Sequence, residues 1–349
     1  MQRIVIFGKG GIGKSTFATN FSASLAATGR HILHVGCDPK HDSTVALLNG
    51  RMIDAVVDTV GRREGLTPAD IVSRSHLGID CVEAGGPSAG VGCGGRGISR
   101  MFEIFQAAKL LEPGRYDVAV YDVLGDVVCG GFAAPLRKGI GEKVVIVASE
   151  ELMSLYAANN IARAVVHYSP NGISLAGIVF NLKDATADRA MLERFAARVG
   201  TQVIGYVERD PLVREAEFRG KTVVELAPGS GIAQTYRDLA EKVLAIEASQ
   251  CALPTPCDEE TFYRVARAKF TEPPGGFRVA DGAARANADR SATAIDAAGT
   301  PLASGFEDEL AAGKRAVWLG LVSAADAVAR LKSAFPSLTG SLAPRDLDS

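Results

Sequence analysis

Nine residues near the amino terminus, Gly8-Lys9-Gly10-Gly11-Ile12-Gly13-Lys14-Ser15-Thr16, constrain this chain more than any other segment. They satisfy the G-x-x-x-x-G-K-[ST] spacing, follow an apolar run at 3–7 and open a helical pattern at 14–27. In that order, strand, loop and helix make a phosphate cradle. Glycines let backbone N–H groups turn inward onto phosphate oxygens, and the helix N-terminus favours the negative charge. Lys14 is suited to neutralise the β- and γ-phosphates and Ser15 to ligate Mg²⁺, with Gly8, Gly10, Gly11, Ile12, Gly13 and Thr16 forming the wall. The plain alternative is a glycine-rich turn without a ligand, which the strand–loop–helix order disfavours.

Apolar runs at 3–7, 31–35, 79–82, 118–121, 144–147, 175–180 and 202–206 alternate with helical patterns at 14–27, 99–111, 152–168, 188–199 and 232–248. Strands apolar along their whole length, separated by helices, imply a mostly parallel, doubly wound α/β sheet covered on both faces. The pattern changes near residue 270. Residues 272–304 are rich in Ala, Gly, Pro and Asp, and 306–335, with Trp318, reads as helical again. The expected division is a core of 1–270 and a C-terminal extension of 271–349. A net charge of -2 offers no argument for nucleic acid. No run approaches the roughly 20 apolar residues that span a bilayer. The chain enters its first strand without a charged-then-apolar leader, so a cytoplasmic protein with no membrane partner is expected.

Ligands of an open parallel sheet bind beyond the carboxyl ends of its strands. The second strand runs into Asp38-Pro39-Lys40-His41-Asp42-Ser43-Thr44, and the fourth into Asp122-Val123-Leu124-Gly125-Asp126. Asp122 is suited to hold Mg²⁺ through water and Asp38 to orient an attacking water. Asp42 and Asp126 are candidates for coupling to loss of the γ-phosphate. Asp42 has a plainer alternative as a helix cap. Two of the six cysteines, Cys93 and Cys129, lie in glycine-rich loops after the third and fourth strands. A [4Fe–4S] cluster needs four thiolates, so a two-fold dimer axis between these loops would complete the set. Cys37 and Cys81 read as buried small apolar residues, and Cys251 and Cys257 have no assigned role.

The stretches GKGGIGKST, GCDPKHDST, EAGGPSAGVGCGGRGI, YDVLGDVVCGGFAAPLRKG, LYAANNIARAVVHY and GTQVIGYVERD resemble, in order, the nitrogenase iron protein and its nitrogenase-like relatives. The resemblance implies a P-loop NTPase of the deviant Walker A subgroup. It further implies a homodimer with one [4Fe–4S] cluster and two MgATP/MgADP sites, hydrolysing ATP to deliver single electrons to a larger catalytic component. Ferredoxin or flavodoxin would recharge it. In that subgroup Lys9 resembles a finger reaching the partner subunit's nucleotide. The resemblance also points to Lys40, Asn181, Asp210 and Glu217 as nucleotide contacts, and to Arg96 as part of a docking surface that some relatives have ADP-ribosylated. His41 and Gly94 depart from the usual nitrogenase pattern. These departures favour a nitrogenase-like reductase, such as one serving a methylthio-alkane reductase, ahead of nitrogenase itself and chlorophyllide reductase. The competing class is an ATPase that carries clusters for assembly.

Overall fold

The computed structural model describes residues 1–60, 67–86, 94–125, 133–137 and 139–271. The expected extension beyond residue 271, with its helical stretch at 306–335, lies outside the described residues.

In chain order the elements are β1 (Gln2–Phe7), α1 (Lys14–Ala26), β2 (Ile32–Cys37), α2 (Val56–Val60), α3 (Pro68–Ile71), β3 (Ser73–Arg74), β4 (Asp80–Glu83), α4 (Gly94–Ala107) and β5 (Val118–Val123). They continue with β6 (Lys143–Ala148), α5 (Leu152–Tyr168), β7 (Ser174–Asn181), α6 (Arg189–Val199), β8 (Val203–Val207), α7 (Pro211–Phe218), α8 (Val223–Leu226), α9 (Gly231–Ala245) and α10 (Glu259–Arg267). One sheet contains all the described strands in the order β3-β4-β2-β5-β1-β6-β7-β8. Every neighbouring pair is parallel except β3 with β4. Among the described residues, no helix is long and apolar enough to cross a membrane.

The expected strands are present with their ends shifted by one or two residues. Helix α4 starts five residues before the expected 99, because Gly94, Gly95 and Gly97 hide its first turn from a propensity reading. The strand pleat divides the core. On β1, Val5 and Phe7 join a cluster with α4, α5, α6 and α10, while Ile4 and Ile6 join a second cluster with α1 and α9. Both faces are thus dry, as the unbroken apolar runs require.

At the amino-terminal end of the sheet, Lys143 on β6 is 2% exposed. Its Nζ donates to Gln2 Oε1 at 2.6 Å and to the carbonyls of Val243 at 3.0 Å and Ile246 at 2.8 Å, closing the end of α9. Replacing Lys143 with Met should cost about 1–3 kcal/mol, the penalty for stranding buried acceptors. Urea denaturation should show the loss.

Candidate functional site

The loop between β1 and α1 lies at the carboxyl rim of the sheet. Gly11 and Gly13 have φ of 74° and 86°, left-handed values that a side chain would strain. Gly8 packs so closely on the Val147 backbone that a Cβ there would collide with its carbonyl. α1 begins at Lys14 with no side-chain cap, so its first N–H groups face the loop open to an anion. This geometry fits a bound nucleotide phosphate chain.

Lys14 is buried and donates from Nζ to Asp122 Oδ1 at 2.7 Å. Asp122, at the end of β5, also accepts from Ser43 Oγ at Oδ2, 2.6 Å away, and Ser15 bonds to the same carboxylate. Burial opposes ionisation of Asp122, but the Lys14 charge and these hydrogen bonds prevail and hold the carboxyl below its usual range. Behind Ser43 lies His34, fully buried in β2. Its Nε2 is 3.0 Å from Ser43 Oγ, and its Nδ1 is 2.8 Å from Ser22 Oγ on α1. Burial depresses the imidazole to about 4, with Lys14 assisting and Asp122 opposing. Beyond Gly36, on β4, Glu83 is completely buried and accepts the Thr44 N–H at 2.7 Å. A Cβ on Gly36 would collide with that carboxylate. Burial pushes Glu83 up to about 8 against the Thr44 hydrogen bonds, and the Asp122 charge adds to the rise.

Asp38 is half-buried and accepts the Lys40 N–H at 2.9 Å. Burial raises its carboxyl, the Lys40 bond opposes, and Asp42 adds to the rise. Asp42 is exposed, and the cap position of the following 3-10 turn belongs to Thr44. Lys40 is exposed and Lys9 is half-buried at the loop's start.

On the other side of the loop, a cleft of about 520 Å³ is lined by Gly11, Gly13, Asn181, Asp210, Glu217 and Tyr236 among others. Asn181, at the end of β7, donates from Nδ2 to the Ile12 carbonyl at 2.7 Å. Glu217 on α7 accepts from Thr16 Oγ1 at 2.5 Å, and Asp210 caps α7 through the Leu212 N–H at 2.8 Å. The expected phosphate, Mg²⁺ and nucleoside residues therefore converge on one rim. Cys93, Cys129 and Asp126 lie outside the described residues, as does the side chain of Arg96. The strands that run toward the two cysteines, β4 and β5, flank β2 and end on the same rim as the phosphate loop. Cys37, Cys81 and Cys257 are buried free thiols, and Cys251 is half-buried. Among the described residues, no group of three or more His, Cys, Asp or Glu is arranged to hold a metal.

The residues missed from the sequence are His34, Ser22, Ser43 and Glu83. The available signal was polarity inside a buried strand: His34 interrupts Ile32-Leu33-His34-Val35, and Glu83 closes Asp80-Cys81-Val82-Glu83.

A neutral buried imidazole makes stability depend on pH. The folded value of about 4 lies below the ordinary 6.5, so the unfolded chain binds more protons between them. The stability is present above about 6.5 and is lost as pH falls toward about 4. Relative to His34→Leu, the wild type should lose about 3 kcal/mol across that window, measured by denaturant titration at each pH. Glu83 acts in the opposite sense, so the difference from Glu83→Gln should shrink as pH rises from about 4.5 to about 8. Differences that stay flat with pH would mean that neither group is held neutral.

The model of the family described as "4Fe-4S iron sulfur cluster binding proteins, NifH/frxC family" matches residues 2–269. A nitrogenase iron protein from Methanospirillum hungatei is 43% identical over 272 residues, covering 76% of this chain and 95% of the relative. A nitrogenase iron protein 2 from Paenibacillus durus is 43% identical over 259 residues, covering 74% and 88%. Among solved structures, the septum site-determining protein MinD of Pyrococcus horikoshii, complexed with Mg-ADP, superposes with a TM-score of 0.56 at 21% identity, covering 70% of this chain and 96% of that one. A ParA family ATPase from Chlorobium tepidum gives 0.53 at 19%, covering 69% and 98%. These two likenesses establish the fold alone. The match across most of the chain, and relatives above two-fifths identical over most of its length, make the chain a member of the NifH/frxC family of 4Fe-4S iron–sulfur cluster binding proteins.

Proposed function

We propose that this chain is the ATP-hydrolysing, electron-delivering component of a nitrogenase-type reductase. It acts as a homodimer that shares one [4Fe–4S] cluster through Cys93 and Cys129 of each subunit. The observation that carries the reading is the buried Lys14–Asp122 pair at the mouth of the phosphate loop, on the rim where the strands toward both cysteines end. In a chain of this family, that arrangement supports a nucleotide and a cluster held under one set of strand exits. When bound, the cluster supplies a one-electron redox couple.

The chain's own groups then have defined tasks. Lys14 exchanges Asp122 Oδ1 for phosphate oxygens, leaving that carboxylate oxygen free. Ser15 and, through water, Asp122 would hold Mg²⁺, which would offset the phosphate charge. Asp38 orients the attacking water, and its raised carboxyl suits proton acceptance. Lys9 supplies a cation to the partner subunit's nucleotide. Asn181, Asp210 and Glu217 with Lys40 hold the nucleoside end. Asp42 and Asp126 relay the change, since Asp126 stands three residues before Cys129. Arg96 belongs to the docking surface for a larger catalytic component, and residues 271–349 are a separate C-terminal extension. A ferredoxin or flavodoxin recharges the dimer. Among catalytic components, a methylthio-alkane reductase is favoured by His41 and Gly94. Nitrogenase itself is the second reading, supported by the names and high coverage of the curated relatives.

Anaerobically purified protein should contain about four irons per two chains. Its reduced electron paramagnetic resonance signal should change on adding MgATP. Cys93→Ser or Cys129→Ser should abolish the iron. Asp126→Glu should retain ATP binding and lose the nucleotide-dependent change in cluster chelation. Iron-free protein after reconstitution, or a cluster indifferent to MgATP, would overturn the proposal. Loss of the cluster on the first redox cycles would favour an assembly carrier instead.

A further inference from the structure

We infer that His34 is a positioning residue that joins the two acidic strand exits, residues 38–44 and Asp122, into one nucleotide-responsive unit. The inference rests on the nucleotide reading above and adds a residue that the phosphate-loop motif does not include.

The argument begins with pleat and burial. His34 shares its β2 face with Ile32, against α1, in a cluster of Ile, Val, Leu and Phe. An imidazole is tolerated there only if both ring nitrogens find partners, and both do. The direction of each bond follows from the far end. Asp122 is a carboxylate and can only accept. Ser43 therefore spends its single proton on Asp122 Oδ2. Toward His34, Ser43 Oγ can then only accept, so the imidazole proton resides on Nε2. That leaves Nδ1 unprotonated, and it accepts the Ser22 hydroxyl. One tautomer satisfies the whole series, and it reads one way: Ser22 to His34 to Ser43 to Asp122.

The series also closes a ring. Lys14 and Ser22 are both on α1, and Lys14 reaches the other oxygen of the same carboxylate. When Lys14 turns to phosphate, the Ser43 bond remains as the tie between Asp122 and the 38–44 segment. His34 prevents the Ser43 hydroxyl from rotating away at that moment. Thr44 is pinned from the opposite side by Glu83 through its backbone N–H, so the tie pulls on an anchored segment. Asp42, adjacent to Ser43, then moves with Asp122.

The test uses the full-length dimer with four single variants of this series and one double variant. A Gln side chain carries its amide nitrogen to the position of Nε2, whereas Asn ends near Nδ1. His34→Gln should therefore keep the bond to Ser43, and His34→Asn and His34→Leu should lose it. The readouts are the affinity for a fluorescent ATP analogue in EDTA, the Mg²⁺ concentration that half-saturates tightening of that complex, and the melting temperature. His34→Leu and His34→Asn should raise the Mg²⁺ requirement about fivefold, the scale of one neutral hydrogen bond, with affinity in EDTA within about twofold. His34→Gln should restore the wild-type requirement. Ser43→Ala should match His34→Leu, and the double variant should add nothing further. A lowered melting temperature with an unchanged Mg²⁺ requirement would overturn the positioning role, as would equal rescue by Asn and Gln. If His34→Leu does not fold, the Gln, Asn and Ser43→Ala comparisons decide alone. Lys14→Ala separates the two claims. Mg²⁺-dependent binding that survives in Lys14→Ala overturns the nucleotide reading and this inference with it. Loss of binding in Lys14→Ala together with unaltered His34 variants overturns this inference only.

Discussion

A lysine and an aspartate, both almost fully removed from water, meet at 2.7 Å where the first strand of this protein turns into its first helix. Desolvating either charge alone costs several kcal/mol, so neither could remain there without the other. Much of the surrounding architecture serves this pair. Gly11 and Gly13 take left-handed conformations that start α1 with Lys14 under the loop. β5 carries Asp122 beside β1 in parallel register, with Ile6 opposite it. Ser43 and Ser15 also donate to the carboxylate. The pair is also the natural point of exchange, because a phosphate can replace the carboxylate as the lysine's partner at little net electrostatic cost.

The second organising constraint is the lateral order β4-β2-β5. It sets Glu83, Gly36 and Asp122 side by side across three strands, since Gly36 pairs with both. Two carboxyl groups with opposite tendencies flank one glycine: burial keeps Glu83 neutral up to about 8, while Lys14 keeps Asp122 ionised. The missing Cβ of Gly36 is what leaves room for the Glu83 carboxyl. One strand exit is thereby tied to both neighbours at Ser43 and Thr44, while Asp42 beside them is exposed.

The scaffold is shared with the MinD and ParA ATPases at about one-fifth identity, where only the fold is common. The NifH/frxC relationship rests on much closer sequence identity over the same region. A parallel sheet offers a ring of strand exits, and what those exits carry decides the chemistry.

The phosphate loop, the α/β alternation and the strands from β1 to β8 other than β3 were legible from the chain, because glycine spacing and apolar runs are local properties. α7 was missed although Asp210 and Pro211 mark its start, since its eight residues span little more than two turns. The two-residue β3 has too few residues to show any period. Asp38, Asp42 and Asp122 could be assigned to one rim from the rule for parallel sheets, whereas Asn181, Asp210 and Glu217 came only from the family resemblance. Their pairings could not be assigned, nor could His34 and Glu83 be told from misplaced polar residues in buried strands. A histidine in a buried strand reads the same in sequence whether it is stranded or doubly bonded. Only the lateral strand order brings Ser22, His34, Ser43 and Asp122 together across a hundred residues of chain, and hydrogen bonding over such separations is decided by tertiary packing.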